Sequence, residues 1–209
     1  MLPTVATVLL PPALTMFRQQ WPAVSSSVWT DSNAQLLERL KGGDVDLVVG
    51  RLSEPEAMHE LSFEQIYREP LAVVVRREHP LSFETPLTPA LLARFVIVVP
   101  PFGTLIRQSA ESVLTAVGAH ALTALVETLS VSIGRSLALK NDVVWFVPAG
   151  AVEHDIELGL LTALPMPFAG TDELIGLMRR NDAACTPVEE SLVDALREAG
   201  RARAGANDR

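Results

Sequence analysis

Residues 28–52 read VWTDSNAQLLERLKGGDVDLVVGRL, and this stretch decides the fold because it carries a strand, a helix and a second strand with the punctuation between them intact. Residues 24–29 are apolar and β-prone enough for a strand, and Thr30, Asp31, Ser32 and Asn33 are the small polar residues that close a strand and open a helix. Ser32 and Gln35 have capping-box spacing, which sets the Ser32 hydroxyl beside the first backbone donors of the helix. Leu36, Leu37 and Leu40 give that helix one apolar face, Glu38, Arg39 and Lys41 its wet side, and Gly42-Gly43 ends it. Residues 46–49 then predict a buried parallel strand. A right-handed crossover places the Ser32 end at the carboxyl edge of the sheet, where open α/β sheets bind ligands. Unpaired N–H groups at a helix start favour a carboxylate, a phosphate or a hydroxyl there.

Outward from this unit, composition sets the limits. A chain of 209 residues with 48% hydrophobic content can bury a core as one large domain or two small lobes. A formal charge of -8 argues against nucleic-acid binding by this polypeptide alone, because duplex binding rests on Lys and Arg neutralising phosphates. The single cysteine, Cys185, makes neither an internal disulfide nor a thiolate metal site, so the expected compartment is the reducing cytoplasm. Residues 1–10 lack the basic start of a secretory signal, and no apolar run approaches the roughly 18 residues of a membrane span. His59, His79, His120 and His154 show no metal-ligand spacing, and phosphate-loop, dinucleotide and Gly-x-Ser-x-Gly fingerprints are absent. Neither a catalytic residue nor a cofactor is expected.

In chain order, Thr4 reads as a helix cap and Pro11-Pro12 as a kink or restart in a helix reaching Gln20. With only three residues before the cap, the expectation is a piece that begins inside its own first strand. Strands are expected at 61–67, 70–75, 95–99, 122–126, 143–147, 161–165 and 174–178. Helices are expected from Thr104 to about Val117, from Thr128 or Ser130 to Lys140, after Pro148, and from the Thr186-Pro187 start to Ala199, with 201–209 a frayed tail. About five alternations of strand and helix make the class α/β with mostly parallel sheets. Two lobes of like, Rossmann-type construction would form a ligand clamp, with Thr4 and Ser32 from one and Phe102, Gly103, Thr104, Thr128 and Phe146 from the other.

TVATVLLP at 4–11, NAQLL at 33–37, DVDLVVGRL at 44–52, Glu69-Pro70-Leu71 and His79-Pro80-Leu81 stand in one register that resembles the effector-binding region of LysR-type transcriptional regulators. Leu2-Pro3-Thr4-Val5, Ser62-Phe63-Glu64, Glu127-Thr128 with Ser130, Gly134-Arg135 and Val144-Trp145 are similar to the branch holding the galactose-binding-protein regulator and the regulators of protocatechuate catabolism. Residues 167–174, PFAGTDEL, depart from that branch.

The resemblance implies a fold like the type 2 periplasmic binding proteins, with one regulatory lobe at 1–72 plus 174–209, a second at 73–173, and an effector cleft between them. It implies a winged helix-turn-helix and a linker helix outside this sequence, and a first regulatory strand just before Leu2-Pro3-Thr4. It carries effector contacts onto Thr4, Ser32 with Asn33, Phe102, Gly103, Thr104, Thr128 and Phe146, and more weakly onto Arg51. The implied effector is a carboxylate, an aromatic catabolite or a sugar. The implied assembly is a dimer, with Met16 and Phe17 as interface candidates, and a tetramer in the full-length form that reaches DNA through the missing segment.

Residue type alone reads Thr4, Ser32, Thr104 and Thr128 as caps worth about 1 kcal/mol each. It pairs Arg51 with Asp44, Glu54 or Glu56 as readily as with a ligand, and Met16 and Phe17 fit a core equally well. Trp145 and Phe146 alternate on one strand, so at most one faces a ligand. Two other functions share the scaffold: a transport solute-binding protein and an enzyme, the latter resting on fold analogy alone.

Overall fold

The computed structural model describes residues 1–84, 86–118, 125–166, 172–182 and 184–207. The expected strand at 122–126 and the divergent 167–174 segment therefore lie partly, and His120 wholly, outside the described residues. The chain divides into two compact units, Met1–Glu69 with Glu173–Arg209 and Pro70–Asp172. Leu71 and Ala72, expected in the first lobe, pair with Pro148 and Val147 and belong to the second unit.

Unit 1 contains α1 (Pro3–Gln20), α2 (Asn33–Gly42), β1 (Val48–Arg51), β2 (Leu61–Glu69), and, after the chain returns, β8 (Glu173–Arg180) and α7 (Pro187–Asn207). Its sheet has the order β1-β8-β2, with both pairings antiparallel. This corrects two expectations. Residues 24–29 join no sheet, and β1 is not a parallel strand: its partner is β8, which comes from the other end of the sequence. The α2 boundaries follow the predicted punctuation, since Ser32 Oγ accepts from Gln35 N at 3.3 Å and Gly43 adopts φ 79° to receive the last turn.

Helix α1 runs unbroken through Pro11 and Pro12, starts at Pro3 and has Leu2 as its N-cap, so Thr4 is an interior first-turn residue rather than a cap. Proline at the first helical position removes an N–H that has no partner there anyway, which lets the helix begin one residue before Thr4. The end of α7 is also corrected: helix continues to Asn207, and Arg203 is buried. The core of unit 1 joins Val5, Leu9, Ala13 and Phe17 of α1, Leu36, Leu37 and Leu40 of α2, and Val193 and Leu196 of α7 to the sheet. Phe17 is thus core, not an interface residue, and Met16 packs partly against the same cluster.

Unit 2 contains β3 (Leu71–Arg76), α3 (Pro89–Leu92), β4 (Val96–Val99), α4 (Leu105–Ala116), β5 (Leu125–Glu127), α5 (Val131–Lys140), β6 (Val143–Pro148), α6 (Glu153–Glu157) and β7 (Leu161–Ala163). The sheet order is β5-β4-β6-β3-β7. β4 runs parallel to β5 and β6, whereas β3 pairs antiparallel with β6 and β7. Pro148 ends β6, and a short 3-10 turn, Ala149–Ala151, stands where a helix beginning at Pro148 was expected.

Strand alternation splits the unit 2 core between two faces. Val73, Ile97, Val99 and Phe146 pack with Ile106, Ala110 and Val113 of α4, while Val74, Val98, Trp145 and Val147 pack with Ala138 of α5. Both helices follow parallel strands, yet they cover opposite faces of the sheet.

Candidate functional site

That last feature marks a reversal of chain direction across the sheet inside unit 2. β4 and β5 are adjacent and parallel, α4 leaves β4 over one face and α5 follows β5 over the other. Open α/β sheets bind ligands outside the carboxyl ends of strands at such a reversal. The pairing of Val99 with Glu127 brings the two helix starts to this edge, and Thr128 N donates to Val99 O at 3.0 Å.

On the α4 side, Gly103 takes φ 84°, a left-handed conformation that favours glycine, to turn the chain from β4 into the helix. Thr104 Oγ1 donates to Pro101 O at 2.9 Å and accepts from Arg107 N at 3.3 Å, which occupies its proton and caps α4. Phe102 is 80% exposed at the tip of the turn. On the α5 side, Ser130 caps the helix by accepting from Ile133 N, and Thr128 Oγ1 accepts from Ser130 N at 3.0 Å. These bonds use acceptor capacity, and among the described residues neither hydroxyl proton has an acceptor.

Arg107, which sequence reasoning did not single out, braces this edge. It donates to Pro100 O at 3.1 Å, Glu127 Oε1 at 2.5 Å and Glu111 Oε1 at 2.8 Å. Burial alone would lower its pKa, but the bonds to Glu127 and Glu111 outweigh that and hold it above the ordinary value. The missed signal was its i, i+4 spacing with Glu111, visible in sequence, whereas Glu127 arrives only through sheet pairing.

In unit 1, Asn33, Arg51 and Ser53 converge at the end of β1. Asn33 Nδ2 donates to Arg51 O at 2.9 Å and Ser53 Oγ at 2.7 Å, and Arg51 N donates to Asn33 Oδ1 at 2.9 Å. The Asn33 carboxamide is therefore committed to the strand end. Ser32 Oγ caps α2 and Ser32 N donates to the Asp31 carboxylate, leaving the Ser32 hydroxyl proton for another acceptor. Thr4 is half-buried in the first turn of α1, where its carbonyl accepts from Thr7 Oγ1.

Arg51 forms a buried ion pair with Glu173, not with Asp44, Glu54 or Glu56. Burial pushes its pKa down to about 10, against the opposing charge of Glu69, so it stays cationic at neutral pH. Glu69 and Glu173 face each other across the β2–β8 ladder, and Arg203 pairs with Glu69 at 3.4 Å. Two opposed carboxylates are thus matched by two arginines where the chain passes out of unit 1 and returns. Phe146 is fully buried between Val73 and α4, so the ligand-contact reading of that side chain gives way to a core role. Among the described residues no group of three or more His, Cys, Asp and Glu could hold a metal, and no helix is long and apolar enough to cross a membrane.

Residues 1–201 match the LysR substrate binding domain model. The chain belongs to the LysR substrate-binding domain family. It is 38% identical to the HTH-type transcriptional regulator YdcI of Escherichia coli over 94% of this chain and 64% of that protein. It is 36% identical to the HTH-type transcriptional regulator PcaQ of Agrobacterium fabrum over 95% and 64%, and 32% identical to GalR of Pseudomonas putida over 94% and 49%. This LysR-family chain thus spans less than two thirds of the length of these relatives. Among solved structures, the regulatory domain of an OxyR2 variant from Vibrio vulnificus superposes with a TM-score of 0.75 at 18% identity, covering 95% of this chain and 92% of that one. The effector binding domain of a BenM variant gives 0.72 at 22%, covering 97% and 93%. The fold is the type 2 periplasmic-binding-like fold of LysR regulatory domains.

Proposed function

We propose that this LysR substrate-binding domain is the effector sensor of a cytoplasmic transcriptional regulator, and that it works by binding rather than by turnover. The observation that carries the reading is the reversal at β4 and β5, which sets Thr104, Thr128 and Ser130 around one sheet edge with hydroxyl protons of Thr128 and Ser130 uncommitted. Ser32 supplies a like hydroxyl at the start of α2 in unit 1. Such groups suit a small carboxylate or a polyhydroxylated molecule, because they donate to anionic or hydroxyl oxygens without adding formal charge. Asn33, Arg51, Gly103 and Thr104 act by holding these ends in shape, Phe102 supplies an exposed apolar wall, and Thr4 is a further polar contact.

Relatives named as HTH-type regulators support a longer protein in which a DNA-binding segment lies outside this chain and the assembly is a dimer or tetramer. Effector binding would then shift a conformational equilibrium by no more than its differential affinity for the two states. The test is a thermal-shift screen of the chain against ring-cleavage acids, hydroxybenzoates, sugars and amino acids, repeated with Ser32→Ala and Thr128→Ala. A stabilising compound whose effect is lost in the variants supports the reading. Absence of any effect from all four classes, or steady consumption of the compound, overturns it.

A further inference from the structure

Of the histidines among the described residues only His79 is enclosed completely, at 0% exposure. It follows the end of β3, and its backbone opens a 3-10 turn, Pro80–Phe83. The ring serves the same turn. Its Nδ1 accepts from Leu81 N at 3.1 Å, the bond that an Asn or Asp side chain makes to the backbone two residues on. Only a neutral imidazole with its proton on Nε2 offers that lone pair. The ring lies 4.5 Å from the Phe95 ring, centroid to centroid, at a tilt of 54°. Leu81, the residue it holds, is buried in one core with Leu92 of α3, Ile97 of β4 and Val113 of α4.

Little around the ring would welcome a positive charge. The 3-10 turn, α3 and β4 carry no charged side chain, and Arg77, Glu78, Glu84, Arg94 and Lys140, which flank the elements around it, are exposed. Two charges do face it, Asp142 just before β6 and Arg76 at the end of β3, but they pair with each other at 2.7 Å. Burial holds the histidine below its ordinary value of 6.5, against the carboxylate and backbone of Asp142 and with the help of Arg76.

We propose that His79 is a proton-operated latch on unit 2: a proton taken from water onto Nδ1 turns the acceptor into a donor, releases Leu81 N and opens the corner between β3 and α3. The enclosed ring meets that proton only as the turn comes away, so uptake and opening are one event. The imidazolium carries N–H on both nitrogens and cannot re-form the bond. Returning it to the apolar site beside Phe95, where the one facing carboxylate is held by Arg76, costs more than leaving it in water. The opening reaches α4 through packing. A Cβ on Gly118, just past that helix, would stand 3.3 Å from Pro89 Cγ at the start of α3, and Leu81 and Leu92 share their core with Val113 and Leu114. Thr104 caps the other end of α4, so proton and effector would act on two ends of one helix.

The open form binds the proton at the ordinary histidine value and the closed form below it. Closure is therefore complete above pH 6.5 and loses ground as pH falls beneath it, and opening gains about tenfold between pH 7.5 and 5.5.

The test follows amide hydrogen exchange of the 209-residue chain at pH 7.5 and 5.5, corrected for intrinsic rates, beside His79→Asn, whose carboxamide can accept from the same N–H and does not titrate. The expected result is about a tenfold loss of protection at Leu81 in the parent and less than about twofold in the variant, with Leu196 of unit 1 unchanged in both. No loss in the parent, or an equal loss in both chains, overturns the latch. A loss at Leu81 matched at Leu196 overturns it too, because the whole chain would then be opening. Should His79→Asn not fold, nitrogen-15 shifts of the parent's His79 ring decide. A ring still neutral in the closed chain at pH 5.5 is expected, and a ring that becomes cationic while Leu81 stays protected removes the proposal. No effector enters this experiment, so its failure leaves the effector reading standing, and the reverse holds.

Discussion

The side chain of Asn33 does for Arg51 what a neighbouring strand would do, accepting its N–H and donating to its carbonyl, both at 2.9 Å. A helix-start residue thereby finishes the buried end of an edge strand and fixes the start of α2 against β1. Gly50 is part of the fit, because a Cβ there would stand 2.5 Å from Asn33 Oδ1. Asn33→Ala leaves two half-buried backbone groups unpaired and is expected to destabilise the chain by about 1–3 kcal/mol. Asn33→Asp keeps the acceptor, loses the donor and should fall between. Denaturant midpoints of the three chains check the order, and an Asn33→Ala midpoint equal to that of the parent removes the clasp from the account.

In unit 2, Gly134 lets α5 lie against β6, since a Cβ at that position would meet the Trp145 ring at 2.5 Å. Overpacking of this kind costs about 1–3 kcal/mol. Gly134→Ala should lower thermal stability and shift the near-ultraviolet signal of the buried Trp145, while Gly205→Ala, with open space around it in α7, should leave that signal unchanged and not lower stability, because alanine is favoured over glycine in a helix.

Thr128→Ala and Ser130→Ala separate capping from ligand contact. Ser130 caps α5, so its loss is expected to destabilise by about 1 kcal/mol with or without ligand. Among the described residues the Thr128 hydroxyl accepts from the Ser130 N–H alone, so Thr128→Ala should cost less stability than Ser130→Ala yet weaken effector binding tenfold or more by calorimetry. Equal effects of the two changes on stability and on binding would reduce Thr128 to a turn residue.

The acid limb of stability should run through Arg197. Its bonds hold the carboxyl of Glu64 below the ordinary range, and hydrogen bonds from Arg197 and then Cys185 do the same for Glu190. A carboxylate depressed in the folded state contributes stability that is complete above its unfolded value near pH 4.5 and is lost as pH falls through the folded value. Both carboxylates are partly exposed, so salt should weaken the effect. Arg197→Met should lower the unfolding free energy modestly above pH 4.5, where the pairs are fully formed, and converge on the parent at low pH, so that its decline below pH 4.5 is flatter. An unaltered acid limb would mean that other carboxylates carry it.

Local order was legible at most helix starts, with Thr4 the exception, because Pro3 rather than the Thr4 side chain sets the start of α1. Ser32 with Gln35, Thr104, Ser130 and the Thr186-Pro187 start each cap a helix in the structure, because a cap is decided by residues three apart. Alternation on β6 correctly sent Trp145 and Phe146 to opposite faces. Periodicity could not tell that both would be buried, since that depends on helices arriving from elsewhere. The family register was also readable, as it rests on residue identity alone.

Sequence by itself determined most of the helices and strands, the α/β class and the LysR kinship, because these follow from local propensity, periodicity and identity. Tertiary structure alone decided who pairs with whom. β1 took β8 as its partner across more than a hundred residues, residues 24–29 were left without one, and Arg51 found Glu173 rather than a neighbouring acid. Thr104 and Thr128 met at one edge only because β4 lies beside β5. Backbone hydrogen bonding between strands carries no residue code, so pairing is settled by packing of the whole unit.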